Sequence, residues 1–159
     1  MKPRHADLRI ERIVRLFEQL APADVARLGE FYTPDAQFKD PFNEVRGVAE
    51  VQRIFGHMFV ALVDPRFVVR DILVEGEQCF LSWDFLFRFR RFSRDPQTVR
   101  GSSHLRLASD GRIELHRDYW DAAEELYEKL PVLGVLMRWL RKRANAWLTT
   151  PRHLRCRPP

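Results

Sequence analysis

The chain has 159 residues, of which 45% are hydrophobic, 12% aromatic and 31% charged, with a formal net charge of +5. That length and mixture suit one globular domain able to bury a core without disulfide staples. Two cysteines, Cys79 and Cys156, no apolar run near the roughly 18 residues that span a bilayer, and an opening without a secretory apolar stretch exclude a disulfide scaffold and a membrane-spanning chain; a cytoplasmic protein is expected.

Residues 7–20 place Leu8, Ile10, Ile13, Val14, Phe17 and Leu20 at helical spacing, and Pro22 marks the break after them. The stretch ADVARLGEFY reads as a second short helix, with Val25, Leu28 and Tyr32 inward. Pro34 ends it, and Phe38, Lys39 and Asp40 are pushed into extended backbone ahead of Pro41. After Gly47, residues 48–62 form a third helix, in which Val51, Ile54, Phe55, Met58, Phe59 and Leu62 recur at three and four. The period then changes to two. Arg66–Glu75, Cys79–Phe92, Thr98–Ala108 and Arg112–Trp120 read as strands, separated by turn signals at 75–77, 93–97 and 109–111. Helices followed by hairpin-linked strands predict an α+β fold with an antiparallel sheet.

The positive charge is unevenly placed. Beyond residue 130 there are seven basic residues and no acidic one, which leaves 20 basic against 22 acidic residues in the first 130. The sequence pI near 9.7 therefore reflects the end of the chain, and no nucleic-acid partner is expected. Residues 131–159 are read as a basic amphipathic helix with a flexible tail, appended to a domain over 1–130. Within it, residues 133–148 combine an apolar stripe, arginines and tryptophans. That pattern suits packing on the domain or contact with an anionic membrane surface.

Two helices, then Tyr32-Thr33-Pro34-Asp35-Ala36-Gln37-Phe38-Lys39-Asp40-Pro41, then Arg46-Gly47 opening a third helix ahead of the strands, resemble the nuclear transport factor 2-like superfamily over roughly residues 7–125. Its members include SnoaL-like polyketide cyclases, ketosteroid isomerase, scytalone dehydratase and limonene epoxide hydrolase. The resemblance implies a cone in which a curved sheet wraps the helices and leaves an apolar pocket, usually in a homodimer through the sheet. It places Asp40 at the general base of ketosteroid isomerase. Leu16 falls where that enzyme has its oxyanion-binding tyrosine, and Ser103 where it has a protonated aspartate, so steroid isomerisation is not expected. The arginine between two aspartates that limonene epoxide hydrolase needs is not found.

Alternation along Arg112–Asp121 puts His116, Asp118 and Trp120 on one face and Arg117, Tyr119 and Asp121 on the other. The resemblance turns the first set toward the pocket, where Asp40, His116 and Asp118 form a candidate acid–base group. Tyr32, Phe55, Phe59, Trp83, Ser103 and Trp120 are the candidate ligand-binding residues. The bland readings are that Asp40 caps a turn or pairs with Arg46, and that the strand residues form a self-satisfied polar network. Trp83, Phe85, Phe87 and Phe89 share one face of their strand, opposite Phe80 and Leu86, and alternation leaves open which face is covered by what. Cys79 reads as core, and no metal or cofactor is expected. The functional expectation is a SnoaL-like small-molecule enzyme of isomerase, cyclase or dehydratase type. The alternatives are a non-catalytic binder of an apolar metabolite or lipid and a protein-partner module using the sheet face.

Overall fold

A computed structural model gives the fold, and the structure describes residues 6–90 and 95–122. The stretch from Met1 to Trp120 makes one compact unit, and a second begins at Asp121. The domain boundary expected near residue 130, the helix and membrane contact expected over 133–148, and the first two residues of the turn expected at 93–97 lie outside the described residues. Among the described residues, no helix is long and apolar enough to cross a membrane.

Helix α1 (Leu8–Gln19) starts at Asp7, whose carboxylate accepts from the Arg9 backbone N–H at 2.9 Å, and it buries Ile10, Ile13, Val14 and Phe17 along one stripe. A 3₁₀ helix follows (Pro22–Glu30), burying Leu28. Helix α2 (Val48–Ala61) opens at Gly47, which adopts φ +99°, a conformation that favours glycine, and it buries Val51 and Phe55.

The sheet has six strands: β1 (Tyr32–Lys39), β2 (Glu44–Arg46), β3 (Leu62–Glu75), β4 (Gln78–Phe89), β5 (Gln97–Leu107) and β6 (Ile113–Tyr119), in the order β2-β1-β6-β5-β4-β3. The α+β class holds, but the sheet is open and mixed. β1 lies parallel to β6, while every other pair is antiparallel. Residues 32–39 thus form a strand where only an extended connection was expected, and Tyr32 opens that strand instead of closing the second helix. Pro34 conceals this strand from sequence reading because it cannot donate to a ladder. It is accommodated where the β1–β6 register breaks, between Tyr32 and Gln37.

The helices cover one face of the sheet. On β4 that face is Cys79, Leu81, Trp83, Phe85, Phe87 and Phe89, which the structure thereby identifies as inward, and Cys79 is fully buried in the core. The opposite face carries Phe80, 46% exposed, stacked on His104, whose Nε2 lies 2.5 Å from Gln78 Oε1. Between Ile113 and Leu115 the β5–β6 register shifts by one, so that Ile113 and then His116 both point inward. That irregularity brings a histidine and an aspartate onto the helix-covered face of the sheet.

Candidate active site

β6 delivers His116 into a buried aromatic cage. The imidazole is 4.9 Å from the Phe38 ring and 5.5 Å from that of Phe17, and it lies nearly parallel to Tyr32. Its Nδ1 is 2.7 Å from the Tyr32 hydroxyl and its Nε2 is 2.8 Å from Asp118 Oδ1. Asp118 follows two residues later on the same face. Opposite it on β5 stands Ser103, its cross-strand partner, whose hydroxyl donates to the same Oδ1 at 2.5 Å. The Trp83 indole N–H on β4 donates to the Ser103 oxygen at 2.8 Å. Four strands therefore contribute to one chain of hydrogen bonds, running Trp83, Ser103, Asp118, His116, Tyr32.

The donor and acceptor inventory sets the direction of this chain. An ionised carboxylate only accepts, so Nε2 of a neutral His116 carries the proton and Nδ1 accepts from Tyr32; this tautomer is assigned from the network. Tyr32 is completely buried, and burial, reinforced by the charge of Asp118, holds its hydroxyl well above the ordinary tyrosine value of 10.0. It remains a donor.

Accessibility varies along the chain. Tyr32 is sealed, the His116 side chain is 4% exposed and the Asp118 side chain 15%. Among the described residues no hydrogen bond reaches Asp118 Oδ2, and no lysine or arginine pairs with this carboxylate. Asp118, at the middle of the chain, is its most exposed member.

Asp40 stands apart from it. Its carboxylate accepts from the backbone N–H groups of Phe42 (2.7 Å) and Asn43 (2.6 Å) and from the Asn43 amide at 3.0 Å, while its own N–H donates to the Asn43 carbonyl. Asp40 is the capping residue of the β1–β2 turn. Arg46 pairs with Asp35 at 3.1 Å, not with Asp40. Of the three candidate acid–base residues, the structure links His116 and Asp118, and no hydrogen bond joins Asp40 to them.

The other candidates divide. Tyr32, Trp83 and Ser103 belong to the network. Phe55 is buried between the Phe17 and Phe38 rings, Phe59 is half-buried on α2, and Trp120 packs edge-on against Phe42 at 5.3 Å. A run of rings, Trp83, Phe67, Phe85, Phe87 and Phe89, continues along β3 and β4 with successive centroids 4.5–5.4 Å apart. Gly101 escaped the sequence reading. It pairs across the ladder with Trp83, and a Cβ there would lie within 3.0 Å of three atoms of the indole ring. The available signal was a glycine inside a strand, which marks close approach of a neighbouring group. Among the described residues, no three of His, Cys, Asp and Glu are placed to hold a metal ion.

An open mixed sheet over two α-helices defines a small α+β fold, and its helix-covered face here carries a His–Asp pair on the sixth strand. The chain belongs to the SnoaL-like domain family, whose model matches residues 13–116. Among solved structures it is similar to a hypothetical protein with a ketosteroid isomerase-like fold from Catenulispora acidiphila DSM 44928 in complex with trimethylamine. That match has TM-score 0.66 and 13% identity, covering 77% of this chain and 92% of the other. A putative SnoaL-like polyketide cyclase from Jannaschia sp. CCS1 matches with TM-score 0.63 and 20% identity, over 73% and 87% of the two chains. The epoxide hydrolase/cyclase-like enzyme SalBIII, described in pyran ring formation in the polyether salinomycin, matches with TM-score 0.62 and 18% identity, over 71% and 90%. Among curated proteins none matches. At these identities the likeness establishes the fold.

Proposed function

We propose that the protein is a small-molecule enzyme of the isomerase, cyclase or dehydratase kind, in which Asp118 is the general base. The observation that carries this reading is the asymmetry of one carboxylate. Oδ1 takes hydrogen bonds from Ser103 and His116, while Oδ2 receives none from the described residues. Two donors on one oxygen fix the carboxylate plane and leave the other oxygen to take a proton. In an isomerisation or ring closure the proton leaves a carbon next to a carbonyl, rides on Oδ2, and returns to the product. His116 keeps its Nε2 proton throughout and screens the charge.

The apolar rings of β3 and β4 would hold an apolar reactant and exclude water, which strengthens both hydrogen bonds to Oδ1. The SnoaL-like family and the cyclase-like neighbours support the reaction class, and Asp118 takes the role that the family resemblance assigned to Asp40. The test is to incubate the full chain with panels of cyclic ketones, 1,3-dicarbonyls and epoxides and follow product by mass spectrometry. Turnover that disappears in Asp118→Asn supports the reading. Turnover that survives in Asp118→Asn and disappears in Asp40→Asn would assign the base to Asp40.

A further inference from the structure

A serine hydroxyl has one proton and two acceptor sites, and it rotates to suit its neighbours. Ser103 is 4% exposed, so water does not set its rotor. What does set it is Trp83. An indole N–H can only donate, and at 2.8 Å it occupies a lone pair of Ser103 Oγ, leaving the hydroxyl proton to point at Asp118 Oδ1. The indole is itself held from two sides. Gly101 leaves the space its ring occupies, and Phe67 meets it edge-on with ring centroids 5.4 Å apart. The contact is dry, since Trp83 is 6% exposed, and in such surroundings hydrogen bonds in series reinforce one another.

We propose that Trp83, seated by Gly101, is a positioning residue for Asp118 that acts through Ser103, steering the serine proton onto Oδ1 and keeping Oδ2 open. This rests on the reading of Asp118 as the base, and it gives Trp83, which that reading uses only as an apolar ring, a separate polar role. The titratable side chains joined to Asp118 are His116 directly and Tyr32 through it. No charged group from β4 or β5 pairs with it among the described residues.

The test is a double-mutant cycle read by carbon-13 NMR titration of the Asp118 carboxyl in the full chain, with no ligand needed. Trp83→Phe keeps a ring in place but removes the N–H. In the wild-type background it should make Asp118 bind its proton roughly two- to five-fold more tightly, because the charged form loses an oriented donor. In the Ser103→Ala background the same substitution should change nothing, since the intermediary is gone. Gly101→Ala keeps every polar group while displacing the ring, and it should reproduce both results if Trp83→Phe folds poorly. An equal effect of Trp83→Phe or Gly101→Ala in both backgrounds, or none in the wild type, overturns the proposal. Because the titration needs no turnover, a failure here is distinct from a failure of the proposed reaction, which the substrate panel reports.

Discussion

Ser103 and Asp118 face each other across the β5–β6 ladder, and the serine hydroxyl donates to Asp118 Oδ1 at 2.5 Å while His116 Nε2 stands 2.8 Å from the same oxygen. One carboxylate oxygen is thus held by two neighbours from two strands, on the helix-covered face of the sheet. Everything proposed about chemistry follows from that unequal treatment of the two oxygens.

The buried end of the network should be sensitive to a single atom. Tyr32→Phe removes the hydroxyl and leaves His116 Nδ1 as a buried acceptor without a donor, at a cost of about 1–3 kcal/mol. Urea unfolding of the two proteins at pH 7 measures this. A loss well below 1 kcal/mol would mean that water or a shifted ring replaces the tyrosine.

Asp40 should behave as a turn residue. Asp40→Ala strips the β1–β2 turn of its acceptor for two backbone N–H groups and is expected to lower stability by about 1–2 kcal/mol. Asp40→Asn, which keeps an acceptor oxygen, should cost less. Thermal unfolding of both variants decides it, and an Asp40→Ala protein as stable as the wild type would contradict the capping role.

Alkaline pH should destabilise the fold through two buried groups. Burial pushes the Cys79 thiol from 9.0 up to about 11, and it also raises the Tyr32 hydroxyl above 10.0. A raised value means that the folded chain holds its proton where the unfolded chain has released it. Their contribution to stability is therefore flat below pH 9 and is lost as pH rises toward 11 and beyond. Denaturant midpoints between pH 8 and 11, under reducing conditions, should fall in the wild type. In Cys79→Ala the fall should begin nearer pH 10, where only Tyr32 remains. An identical profile in the two proteins would show that the thiol does not contribute.

How much of this was legible in the residues depends on range. The helices and the four long strands follow from local periodicity, and their observed limits lie within a few residues of those expected. β1 did not, because Pro34 reads as a helix stop and its partner β6 is some eighty residues away, so no local pattern announces the parallel pairing. Alternation put His116, Asp118 and Trp120 on one face, and the structure agrees. That Ser103 meets Asp118 depends on the β5–β6 register, which a one-residue shift at Ile113 alters and which no single strand encodes. Asp40 shows the opposite limit. Its Asp-Pro context marked it as special, but the same residue types that suit a base also cap a turn, and only the positions of the Phe42 and Asn43 N–H groups separate the two roles.

As the proposed base, Asp118 removes a proton from carbon. Hydrogen–deuterium exchange at the carbon next to the carbonyl of ketones in D₂O, followed by NMR with the wild type and Asp118→Asn, reads that step. The wild type should accelerate exchange for at least one member of a cyclic ketone and 1,3-dicarbonyl panel. Asp118→Asn, folded to the same thermal midpoint, should lose that acceleration by about 10²–10⁴-fold. Exchange that proceeds equally fast in Asp118→Asn, or a wild type that accelerates none of the panel, would contradict the account.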